Sequence, residues 1–182
     1  MRRLREPAEP VARFMDAVEP LGDRLGPVLL QLPPRMACDA DALDAVLARF
    51  PAHVRLAVEP RDPSWFVPAV RRVLERRGAA LCLADRSGLV TPDWRTADWG
   101  YVRFHEGRAA PRPCYGRAAL AAWARRLADS FSPADDVFAF FNNDTEGCAP
   151  RDARRFAARV AAVGLSPTRV PGPRETPVGG SA

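Results

Sequence analysis

Within WGYVRFHE, Trp99 to Glu106, polar and apolar side chains alternate. Successive side chains of an extended strand point to opposite faces, so Tyr101, Arg103 and His105 share one face and Val102 and Phe104 the other. The apolar pair suits a face covered by helices. The polar triplet then looks into a barrel interior or a crevice.

Working outward, four more short apolar runs read as strands: PVLLQL, VRLAVE, AALCLAD and DVFAFFNN. Helical patterns separate them. One runs from Pro7 into Asp23, with Val11, Phe14, Met15 and Val18 at helical spacing and a break at Pro20. The next takes Asp39 or Asp41 as its cap and carries Leu43, Val46, Leu47 and Phe50 on one face. A third ends near Arg77 and is closed by Gly78. RAALAAWARRLADSF and RDARRFAARVAAV are the last two. Strands alternating with helices imply parallel βαβ units, and nearly all-apolar strands imply a sheet covered by helices. A doubly wound sheet and a (β/α) barrel both fit. No GxGxxG follows any strand, so a dinucleotide-binding fold lacks its fingerprint. From Ser166 the chain holds four prolines and three glycines among few apolar residues, which predicts a disordered tail. The expected division is a barrel domain over residues 1–164 and a tail over 165–182.

The 182 residues suffice for one domain with a sizeable core, and 47% hydrophobic with 27% charged residues is a globular composition. No apolar run reaches the roughly 18 residues of a membrane span. The start MRRLREPAEP is basic with no apolar segment behind it, unlike a signal peptide. The expectation is a cytoplasmic protein with no membrane partner. Cys38, Cys82, Cys114 and Cys148 form no CxxC pair, which argues against a zinc ribbon and a disulfide framework. Cys82 reads as a small core residue, and Cys148 as the one loop thiol worth watching. All 27 basic residues are arginine, so no lysine is available for Schiff-base chemistry. The net charge of +5 suits an anionic partner, although Arg117, Arg125, Arg126, Arg151, Arg154, Arg155 and Arg159 read more simply as solvated helix faces.

The strand ends carry the candidate site. They are Gln31; Glu59 with Arg61 and Asp62 behind it; Asp85 with Arg86; His105-Glu106; and Asn142-Asn143-Asp144. Ligands of parallel α/β folds bind at the carboxyl ends of strands. Turn chemistry alone accounts for some of these residues, but not for a polar residue at each of five ends. Arg55, Ala57 and Glu59 share a face opposite Leu56 and Val58, so in a barrel Glu59 meets the Arg103/His105 pair across the interior. Two readings stay open there: a structural ion pair of Glu59 with Arg103, and acid/base work by Glu59, Asp85 and His105. A metal held by Glu59, Asp85, His105 and Asn142 is disfavoured, because His53 sits at the opposite end of its strand. Trp65, Trp94, Trp99 and Tyr115 are placed to wall a pocket or to pack.

In combination and order, LGDRLGPVLLQLPP, AVEPRDPSWF, YVRFHEG and FAFFNND resemble the YecE-like family, domain of unknown function 72, over about Arg2 to Gly164. The resemblance implies a TIM-type (β/α) barrel and leaves the reaction open. Against the family's EFRHPSW-type motif, this chain has Pro60 and Asp62 in place of Phe and His, while Glu59, Arg61 and Trp65 carry over. The family's GTSGW-type and EVNSTFY-type strands are not found. The resemblance therefore implies about five of eight βα units, an incomplete barrel lacking three N-terminal strands, and open sheet edges. A misassigned start codon or a truncated gene is the favoured expectation, with an oligomer that covers the edges as the third.

Three functions follow as expectations. The first is acid/base chemistry on a small polar or anionic ligand. Glu59, Asp85 and His105 would be catalytic, and Gln31, Arg61, Trp65, Tyr101, Arg103, Asn142, Asn143 and Asp144 would bind. The second is metal-assisted phosphodiester hydrolysis or nucleic-acid binding, resting on fold analogy and the arginine excess. The third is a non-catalytic remnant or interaction module. No cofactor is indicated.

Overall fold

The computed structural model describes residues 4, 6–86 and 89–172. Its helices are α1 (Ala8–Val18), α2 (Ala40–Leu47), α3 (Pro68–Arg77), α4 (Arg117–Ser130) and α5 (Cys148–Ala162). Its strands are β1 (Val28–Gln31), β2 (Leu56–Glu59), β3 (Ala80–Arg86), β4 (Leu89–Val90), β5 (Gly100–Phe104) and β6 (Val137–Phe141). Local chemistry sets several boundaries. Asp39 accepts from Ala42 N at 2.9 Å and caps α2. Gly78, at φ 59°, closes α3 in the left-handed conformation that favours glycine. The first predicted helix gives way after Val18 to a 3-10 turn over Glu19–Arg24. The last begins at Cys148, earlier than the Arg151 expected from apolar periodicity.

The five parallel strands pair in the order β1-β2-β3-β5-β6, each beside the next parallel strand in sequence. A doubly wound sheet reverses direction from its first strand; this one does not, and it curls into a half-barrel. The short β4, which no sequence pattern marks, folds back antiparallel on β3. The stretch holding Pro92, Trp94 and Trp99 is pinned to β3: Thr96 Oγ1 donates to Ala79 O at 2.7 Å and accepts from Leu81 N at 2.9 Å.

Helices cover the convex face of the sheet. Leu56, Val58 and Leu81 pack with Leu43, Leu47, Val70 and Leu74 of α2 and α3. Leu83, Val102 and Phe104 pack with Leu120, Ala124 and Leu127 of α4 and Phe156 of α5. Phe104 anchors the second group, stacked on Phe141 at 4.4 Å and edge-on to Phe156 at 5.0 Å. The concave face holds smaller side chains: Ala57, Ala80, Cys82 and Ala84, with Trp99 and Tyr101.

The cysteine spacing argued against disulfides, yet Cys114 and Cys148 are bonded, 34 residues apart. Cys148 is buried at the start of α5 rather than in an open loop. The fold brings the segment after β5 against α5, a proximity that linear spacing does not encode. Cys38 and Cys82 are free, and burial, followed by the nearby Glu59 charge, pushes the Cys82 thiol up. Of the predicted tail, residues 165–172 form no helix or strand, and 173–182 lie outside the described residues. Among the described residues, no helix is long and apolar enough to cross a membrane.

Candidate functional site

Glu59 ends β2 with its side chain on the concave face, and only 1% of that side chain is exposed. A buried carboxylate needs compensating charge. The strand next to β2 is β3, whose concave residues Ala80, Cys82 and Ala84 are small. They leave room for Arg103, on β5 beyond, to reach over β3 and donate Nη1 to Glu59 Oε2. Arg61 donates Nε to Glu59 Oε1 at 3.1 Å from the other side. Both guanidinium groups also donate to Gln31 Oε1 at the end of β1, Arg103 at 2.8 Å. Arg103 Nε donates to Asn142 Oδ1 at 3.0 Å, just past β6.

His105 follows β5 on the same side. Its Nε2 lies 3.4 Å from Glu59 Oε1, within ion-pair range. That nitrogen is buried and, among the described residues, has no aligned hydrogen-bond partner. Burial by itself raises a carboxyl group; beside Glu59, His105, Arg103 and Arg61 more than reverse this and hold it at about 2, against an ordinary 4.5. Glu59 is therefore ionised across the physiological range. Two guanidinium groups thus face this one carboxylate.

Gln31, Glu59, Arg61, Arg103, His105 and Asn142 thus form one connected cluster. The other predicted site residues lie elsewhere. Asp85 shares the convex face with Leu81 and Leu83, where it accepts from Trp123 Nε1 at 2.8 Å. Trp65 is wholly buried and donates its indole N–H to Met36 O at 2.7 Å, an anchor rather than a wall. Tyr101 is on the concave face below the cluster, stacked on Phe140 at 4.9 Å. Asn143 turns the opposite way from Asn142 and donates to Pro113 O at 3.0 Å and to Asp152 Oδ2 at 2.9 Å. Asp144 is exposed in the turn, its carbonyl accepting from Gly147 N. Asp62, at the departure from the family motif, accepts from Ser64 N at 3.0 Å and caps the turn that seats Trp65.

Sequence reasoning misses Asp152. It is fully buried on α5, and its Oδ2 accepts from Tyr115 N at 2.7 Å as well as from Asn143. An aspartate within an arginine-rich helix reads as a surface residue, and nothing local marks it otherwise. Together with the Cys114–Cys148 bond it ties the segment after β5 to α5.

Among the described residues, no three or more His, Cys, Asp or Glu side chains group closely enough to hold a metal ion. With Asp85 on the convex face, the conceivable donor set loses one of its carboxylates.

Two solved structures share the fold. A DUF72 family protein from Enterococcus faecalis V583 matches with a TM-score of 0.73 at 20% identity, covering 94% of this chain and 70% of that one. A DUF72 family protein from Thermotoga maritima MSB8 matches with a TM-score of 0.73 at 24% identity, covering 85% of this chain and 66% of that one. This chain therefore spans about two thirds of the length of each. No curated protein matches it. The model of the family described as protein of unknown function DUF72 matches residues 1–176, and with nearly its whole length matched the chain belongs to that family.

Proposed function

We propose that the chain is a TIM-type barrel protein that binds a small anionic ligand at the carboxyl ends of its strands, with His105 exchanging a proton with it. The carrying observation is the buried His105 Nε2, which has no aligned hydrogen-bond partner although it lies 3.4 Å from Glu59. A buried polar atom without an aligned partner is costly, and this one sits in a cluster that also carries two guanidinium groups. Glu59, held near 2, is a poor proton acceptor at neutral pH. Its role is to orient the imidazole and hold the two arginines. Arg61 and Arg103, partly exposed at 19% and 14% of their side chains, supply the charge that attracts an anion. Asn142 and Gln31 set the guanidinium planes. Asp85, predicted as a third acid/base group, takes no part in this reading.

The test uses the ring resonances of the two histidines, His53 and His105. Small carboxylates and phosphates are titrated at constant ionic strength. The expected result is a saturable shift of the His105 signals with His53 unmoved, lost in a folded His105→Ala variant. If no anion moves His105, and His105→Ala only lowers stability, the histidine is structural and the proposal fails.

A further inference from the structure

We propose that the groove between α4 and α5 is a second anion site, built for a small organic molecule bearing a phosphate group. It lies on the convex side of the sheet. The aromatic core of Phe104, Phe141 and Phe156 separates it from the Glu59 cluster.

Four arginines line the groove: Arg117 on α4, and Arg151, Arg155 and Arg159 on α5. The last three are four residues apart, so they form one stripe along the helix. Like charges at this spacing repel one another. No carboxylate lines the groove to offset them. Some surface arginines find carboxylates, as Arg77 does with Asp44 at 2.7 Å and Arg126 does with Asp93, and others, such as Arg72 and Arg125, find none among the described residues. The groove is set apart by bringing four together with no carboxylate in its lining. Among the described residues, neither the Arg117 nor the Arg159 side chain makes a hydrogen bond or ion pair. Arg155 has only Asp152 at 3.8 Å, and that carboxylate already serves Tyr115 and Asn143. Arg151 Nε is buried without a partner, while Nη2 faces the Cys114 and Cys148 sulfurs, which are weak acceptors.

The backbone adds to the same field. Gly116, which lines the groove, is the N-cap of α4 and provides no side-chain cap for the 14-residue helix. Its first N–H groups and its dipole's positive end are left for an acceptor. The groove encloses about 430 Å³, within the range of small-molecule sites and larger than a bare phosphate needs. Leu120, Ala158 and Tyr115 provide apolar wall for an organic portion.

The probe is inorganic pyrophosphate, titrated into the full chain by calorimetry at matched ionic strength. The comparison variant is the double substitution Arg117→Gln/Arg159→Gln. Neither side chain has a partner to lose, so folding is retained and is checked by circular dichroism. Saturable binding is expected, weakened by about tenfold or more in the double variant, the scale of one or two charge-assisted contacts. In a His105→Ala background, which removes any share taken by the Glu59 cluster, the binding that the double substitution weakens should persist, which separates the groove from that cluster. The proposal is overturned by no binding, by binding that the double substitution leaves within about twofold, or by binding that His105→Ala abolishes. Capture of duplex DNA without binding of pyrophosphate also overturns it, since a polymer's backbone charge would then account for the arginines.

Discussion

Arg103 on β5 reaches across β3 to Glu59 on β2, over the small side chains of Ala80, Cys82 and Ala84. The carboxyl end of the concave face is therefore organised by a desolvated ion pair, while Trp99, Tyr101, Phe138 and Phe140 pack against one another on the same face. The two partners are 44 residues apart in sequence, so each one's burial is tolerable only once the sheet has formed.

Removing the carboxylate should be more damaging than its single position suggests. Glu59→Ala leaves Arg103 and Arg61 facing each other in a mostly buried site, and breaking a buried pair from one side costs about 3–5 kcal/mol. Urea unfolding measures this. A Glu59→Leu/Arg103→Met double variant should recover part of the loss, because replacing both partners removes the stranded charge. A Glu59→Ala protein as stable as the parent would show that the pair contributes nothing to the fold.

Acid should weaken the protein through the same carboxylate. The folded-state value of about 2 lies below the ordinary 4.5. The unfolded chain therefore binds more protons as pH falls, and stability is lost as pH drops from about 5 toward 2. The shift corresponds to about 3 kcal/mol, fully present at neutral pH. Asp44, Asp62 and Asp135 shift in the same direction, so the comparison with Glu59→Gln isolates the Glu59 share. Stability measured from pH 7 to pH 3 should fall less steeply in that variant.

The Cys114–Cys148 bond closes a loop of 34 residues in sequence separation. Chain-entropy arguments give it roughly 2–4 kcal/mol. Cys114→Ser, or incubation of the parent with a reductant, should lower the thermal midpoint, and the reductant should have no further effect on Cys114→Ser. A midpoint insensitive to reductant would mean that the bond is absent in solution.

Gly107 sits where the segment after β5 doubles back, donating its N–H to Pro113 O at 2.8 Å. A side chain there would collide with the Cys114 backbone carbonyl, which cannot rotate away as a flexible side chain would. Gly107→Ala should cost about 2 kcal/mol or more. It should also loosen Tyr115, whose hydroxyl accepts from Glu106 N at 3.2 Å. Denaturant unfolding with tyrosine fluorescence reads both effects.

The parity of β5 is legible in sequence because its two faces differ in polarity, and that contrast alone assigns Arg103 and His105 to the concave side. The same holds for Glu59 opposite Leu56 and Val58. β3 offers no such contrast: Ala80 to Ala84 are apolar on both faces. Only its place at a strand end speaks for Asp85 as a site residue, while its side chain faces Trp123. Asn142 and Asn143 show the same limit over two residues, since one joins Arg103 and the other Asp152. The disulfide and the Asp152 contacts depend on how α5 docks, which no local pattern encodes. Strand order is likewise beyond the alternating pattern, which fits a barrel and a doubly wound sheet equally.

One arginine holds groups belonging to three strands. Arg103 bonds Gln31 at the end of β1, Glu59 on β2 and Asn142 just past β6, and so spans the open mouth from the first strand to the last. It works as a drawstring. Breaking any one of these bonds would release one side of the mouth, so the two edges of the sheet stiffen or loosen together, and amide exchange at β1 and β6 would follow in step.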